Sequence, residues 1–225
     1  MKKVFKLLGI AAIMAIVLFM MAACDDSEDN TSGVGDGGGG SDPGGGTGPV
    51  LLTDEELAKE LAEGAYYCLR DLHYTLETGF SSPTTIDGSE SGSVTLTGTK
   101  TYSRTGPGSG PWTTTEITEI TQLILNNYSN ASWHPRVTGT GTFYYKYYNY
   151  LTSSGGGRTT YTANYTLNSC QYNLVYLGNT YTGTVSISDF EFFRDTSSSS
   201  YGNNYTATVN LGPGKVFNVS GRLPS

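Results

Sequence analysis

Three thiols, two imidazoles and two pairs of closely spaced carboxylates are the groups in this 225-residue chain that could do chemistry. Cys24, Cys68 and Cys170 could be acylated, cross-linked or oxidised, and His73 and His134 could move protons or bind metal. Asp189 with Glu191, and Glu116 with Glu119, could share acid–base work or hold Ca²⁺. Spacing narrows these options. There is no CxxC, and only two histidines are on hand as partners, which argues against a metal or redox centre. HExxH, a nucleophile elbow and a Ser/His/Asp pattern are all missing, so the chain reads as non-catalytic and without a cofactor. Asp189 and Glu191 lie two apart on a predicted strand and share a face with Phe193. Solvated strand positions or edge-blocking charges account for both carboxylate pairs.

The aromatic run Phe143-Tyr144-Tyr145-Lys146-Tyr147-Tyr148-Asn149-Tyr150 offers a different chemistry. Strand alternation puts Phe143, Tyr145 and Tyr147 on one face and Tyr144, Tyr148 and Tyr150 on the other. Tyr145 and Tyr147 are the candidate ligand-binding residues, with phenols that could hydrogen-bond a sugar or a lipid head. Cross-strand aromatic packing is the competing account, with the second face half-buried under the helix or loops. Trp112 and Trp133 read as core or rim positions.

Cys24 is set apart by what surrounds it. A basic start with Lys2, Lys3 and Lys6 leads into an apolar run over 7–21, then Ala22-Ala23-Cys24, then a polar, glycine-rich stretch. Met21-Ala22-Ala23-Cys24 resembles the lipobox of bacterial lipoproteins, with Met in place of the usual Leu. The resemblance implies cleavage after Ala23 and a diacylglyceryl group on Cys24, so that 1–23 is a signal peptide and the protein is held in the cell envelope. An ordinary secretory signal or an N-terminal transmembrane helix could produce the same run, since about 20 apolar residues span a bilayer. Each buried CH₂ of a lipid contributes about 0.8 kcal/mol, so two or three acyl chains make an essentially permanent anchor. Asp25 resembles an inner-membrane retention signal in enteric bacteria only, and which membrane holds the protein stays open.

With Cys24 assigned to lipid, Cys68 and Cys170 remain as a pair. A disulfide between them would close a loop of roughly 100 residues and contribute about 4–5 kcal/mol; two buried free thiols are the other reading. Net charge is −7 and becomes about −10 once three signal-peptide lysines leave. Acids dominate the front half, which excludes nucleic acid as a partner. The segment 24–49 holds six acids, no base and repeated glycines, and reads as a disordered tether reaching roughly 25–30 Å. Residues 50–225 form a single domain.

Thr53 and Glu56 make a capping box, and Leu57, Leu61, Ala65, Cys68, Leu69, Leu72 and Leu76 recur at helical spacing, which predicts an amphipathic helix over 53–77. Gly64 weakens its middle. The rest is rich in Thr, Tyr and Gly and predicts strands over 93–104, 112–128, 136–150, 158–168, 171–176, 180–193, 205–211 and 215–219, with a loose loop over 197–204 and a bulge inside 112–128. The fold expected is mainly β: one helix, then a curved antiparallel meander, as a half-barrel or open barrel, with a β-sandwich as the alternative. The stretch 165–187, with YTGTVSI at its end, loosely resembles a pattern of uncharacterised envelope lipoproteins and implies no activity. Two functions fit. One is binding of a small amphipathic ligand between helix and sheet, for which an apolar cavity is required. The other is a surface interaction or adhesion module for protein or glycan, which predicts a filled core and an exposed aromatic face.

Overall fold

The computed structural model describes residues 51–107, 110–154, 156–196 and 203–223, all within one compact unit, Thr47–Ser225. The expected signal peptide 1–23, lipidated Cys24, tether 24–49 and most of the 197–204 loop lie outside the described residues. The chain is mainly β. Helix α1 (Asp54–Thr75) is followed by β1 (Thr84–Asp87), β2 (Ser91–Thr105), β3 (Trp112–Ser129), β4 (Arg136–Leu151), β5 (Gly157–Tyr176), β6 (Asn179–Asp195), β7 (Asn204–Asn210) and β8 (Val216–Arg222). The strands pair in chain order as one antiparallel sheet that does not close, because β1 and β8 are not neighbours. A single sheet rules out the sandwich.

Curvature follows from size. Eight strands at about 4.8 Å spacing would span roughly 34 Å if flat, against a helix of about 10–12 Å diameter. Yet α1 shares one core with residues from Val94 on β2 to Val219 on β8, so the sheet must curl around it. Irregularities in register on β2, β3, β4, β5 and β6 supply the bends. One of them breaks β3 between Ile120 and Leu123, where the mixed apolar spacing predicts it.

Local signals match the elements closely. Thr53 Oγ1 accepts from the Glu56 amide at 3.3 Å, and Glu56 Oε2 accepts from the Thr53 amide at 2.8 Å. All seven residues of the predicted stripe are buried. The helix stops at Thr75, two residues early, because Leu76 turns extended (φ −70°, ψ 134°). Tertiary bonds then seat it: Tyr165 Oη donates to the Ala62 carbonyl at 2.6 Å, and Tyr205 Oη to Glu63 Oε1 at 2.8 Å. β1 carries too few residues to signal itself and exists through pairing with β2. The segments 158–168 and 171–176 are one strand, β5, bent at Ser169 (φ 47°) rather than broken.

Cys68 and Cys170 are not bridged; both are free and buried. The expected disulfide is corrected by where each side chain is drawn. Cys68 Sγ faces His134 Nδ1 at 3.3 Å, whereas Cys170 Sγ donates to the Thr140 carbonyl of β4 at 3.3 Å.

Gly64 has a tertiary reason. A Cβ there would lie 2.4 Å from Cδ of Pro135, in the segment leading into β4. Alanine should gain about 1 kcal/mol of helix propensity but overpack this contact at a cost of about 1–3 kcal/mol. Gly64→Ala is therefore expected to lower the urea midpoint; an increase would mean that Pro135 yields freely.

Candidate functional site

The seam between helix and sheet is closely packed around Cys68 and Leu69. The void lined by Ala65, Cys68, Leu69, Leu125, Tyr128, Val137 and Leu167 measures about 10 Å³, at the lower limit for one water. Tyr145 is buried in this region, its ring 4.3 Å from that of His73 and its hydroxyl 3.3 Å from that of Tyr74. Tyr147 is half-buried at the margin, 5.4 Å from Tyr161. The two candidate ligand residues thus share a face, as alternation requires; both pack against other rings, and Tyr145 also lines a small pocket beside the helix. Trp133 is exposed at the rim with its ring 3.9 Å from His134, and half-buried Trp112 lies under Arg104.

Both histidines are buried. His73 Nδ1 lies 2.8 Å from Thr118 Oγ1, and its Nε2 is 3.7 Å from Glu116 Oε2. Burial, aided by the Lys100 charge, pushes its pKa down to about 4. Buried Lys100 donates to the carbonyls of His73 (2.5 Å) and Leu76 (2.8 Å), which end the helix without intrahelical partners. Cys68 and His134 have the spacing of a thiol–imidazole pair but not its electrostatics. Burial pushes the thiol up to about 12; burial and then Arg70 push the imidazole down to about 4. The pair is neutral, and the thiol is held in its un-ionised form.

A shallow trough of about 520 Å³ lies on the opposite, convex face, across β3–β6. Register aligns its residues. Glu119 pairs with Tyr144, Tyr144 with Asn164, and Asn164 with Glu191, so that carboxylate, phenol, amide and carboxylate form one row over four strands. Neighbouring strands are about 4.8 Å apart, so the row runs roughly 14 Å. Thr142 and Thr166, bonded to each other at 2.9 Å, flank it, and Asp189 joins the lining from the β6 irregularity at φ 53°.

Glu119, Asp189 and Glu191 are thus gathered on one surface of central strands rather than blocking an edge. Glu116, three residues from Glu119, points to the other face beside Lys100 and His73. Tyr144, Asn164 and Thr166 escaped sequence reasoning as site residues. Alternation places Tyr144 on the outer face, but its register partners come from strands 25 and 20 residues away (Glu119, Asn164).

Fold and site together define a class: a helix-filled antiparallel half-barrel with a polar, aromatic trough on its outer surface. No family model, curated protein or solved structure matches the chain.

Proposed function

We propose that this chain is a lipid-anchored protein of the bacterial cell envelope whose domain is a non-catalytic recognition module, binding neutral glycan along the convex trough. The observation that carries the reading is the cross-strand row Glu119–Tyr144–Asn164–Glu191 on the sheet face turned away from the helix. Carboxylates accept hydrogen bonds from sugar hydroxyls, the Asn164 amide both donates and accepts, and the Tyr144 ring supplies an apolar platform with a polar tip. Three carboxylates in the lining disfavour anionic polymers. The polar and aromatic lining of the trough on the outer face favours the surface module among the two functions considered. The anchor rests on the basic start, the apolar run and Met21-Ala22-Ala23-Cys24.

Tyr144→Ala removes the platform from a surface position and should leave folding intact. On an array of neutral and anionic oligosaccharides, the native chain is expected to retain neutral glycans, and this variant to weaken them by about tenfold or more, the scale of one lost aromatic contact with its hydrogen bond. Binding confined to anionic glycans, or unchanged in the variant, would sink the reading. For the anchor, Cys24→Ser should move the protein from the membrane fraction to the soluble one on cell fractionation; continued membrane association would disprove lipidation at this residue.

A further inference from the structure

A second, smaller pocket opens where α1 meets β4, β5 and β6, on the other face of the sheet from the trough. It measures about 90 Å³ and is lined by Arg70, Arg194, Asn203 and the aromatic residues Tyr66, Tyr74, Tyr145, Tyr161 and Phe192, with Leu223 at one side. Two guanidiniums converge here in an acidic protein, and no carboxylate is in the lining among the described residues. Asp71 reaches Arg70 Nη2 only at 3.7 Å and lies outside the lining. The Nε atoms of both arginines are buried without a hydrogen-bond partner, as is Oδ1 of Asn203, a residue only 3 % exposed. A buried donor left unpaired costs free energy, and more so on a charged group. The two arginines that carry these donors line one cavity, and their guanidiniums call for an acceptor that the described residues do not supply there.

Aromatic rings in and behind the pocket wall lie against the arginines. Arg70 Cζ lies 4.8 Å from the ring centre of Tyr67 and 5.9 Å from that of Tyr66, and Arg194 Cζ 5.5 Å from that of Tyr161. The edge of a guanidinium matches two oxygens of a carboxylate or phosphate. Tyr74 and Tyr145 add hydroxyls 3.3 Å apart. Burial keeps the Tyr66 phenol neutral despite both cations, so no phenolate supplies the missing negative charge.

We propose that this pocket is an anion-binding site for the carboxylate or phosphate head of a ligand, gripped by Arg70 and Arg194. Its volume equals that of about three liquid waters at ~30 Å³ each, enough for the head alone. The rest of the molecule leaves past exposed Tyr74. The site is separate from the trough, so it stands or falls without the glycan reading.

The test uses the full-length chain in non-ionic detergent, labelled with ¹⁵N-arginine. Inorganic phosphate, acetate and benzoate are titrated in turn, with chloride as the screening control. The Nε–H resonances of Arg70 and Arg194 are expected to shift together and saturably, and the preferred anion separates phosphate from carboxylate chemistry. Arg194→Gln should weaken that binding by about tenfold or more, the scale of a charge-assisted hydrogen bond. Arg194→Lys, which keeps the charge but lacks the fork, should fall between. Tyr144→Ala should leave it unchanged. Absence of a saturable shift with all three anions, or shifts that chloride reproduces, would overturn the proposal and leave a hydrated pocket. The native titration decides the matter even if an arginine variant fails to fold.

Discussion

Replacing Lys100 by alanine is expected to lower the free energy of unfolding by about 3–5 kcal/mol, the cost of removing one member of a buried charged cluster. Lys100 is 9 % exposed, and its ammonium binds the carbonyls of His73 and Leu76 while standing 3.9 Å from Glu116 Oε2. A helix C-terminus carries partial negative charge and unpaired carbonyls, and here a lysine from β2 serves both needs. Alanine would leave the two carbonyls buried and Glu116 facing only the neutral imidazole of His73. Whole domains are stable by about 5–15 kcal/mol, so a large share would be lost. Urea unfolding of Lys100→Ala checks this. A change below about 1 kcal/mol, the scale of an exposed ion pair, would show that water enters and replaces the ammonium.

Mild acid should destabilise the domain, through His73 and His134. Each is buried and neutral, with its pKa pushed from the ordinary 6.5 to about 4. The unfolded chain therefore takes up a proton at each imidazole below about pH 6.5, and the folded chain does not until about pH 4. Stability is fully present above the unfolded value and falls as pH drops through this window. Each group contributes a slope of up to about 1.4 kcal/mol per pH unit, so from pH 6.5 to 5 the pair accounts for about 3–4 kcal/mol. Glu60 and Asp71, raised chiefly by desolvation, act in the opposite sense near ordinary carboxylate values. Urea midpoints at pH 7, 6 and 5, with imidazole titration by NMR, test the expectation. A midpoint unchanged down to pH 5 would contradict it, and imidazole pKa values near 6.5 would locate the error in their burial.

Much of the fold was legible because its determinants are local. The Thr53–Glu56 box, the stripe from Leu57 to Leu76, and alternation through Phe143, Tyr145 and Tyr147 each act within a few residues. The meander order followed from consecutive strands with turns between them. Pairing partners and side-chain destinations were not legible in the same way. Cys68 and Cys170 formed the economical disulfide on paper, yet one thiol meets His134 and the other a bulge carbonyl. Arg194 continues the inward alternation of Phe190 and Phe192, a signal that could have placed it on the core face. Nothing local pairs it with Arg70 more than a hundred residues earlier.

The sequence alone determined the layout: a basic and apolar start ending at Cys24, an acidic glycine-rich stretch, one capped helix, and strands enough for a single curled sheet. Period and composition encode these, since each depends on a residue and its near neighbours. Only the tertiary structure decided that Tyr145 is buried against the helix while Tyr144 lines the outer trough, that Glu116 and Glu119 part to opposite faces, and that two arginines share a pocket. Register across strands sets such meetings, and register emerges from the sheet curling around one helix until its apolar face is covered.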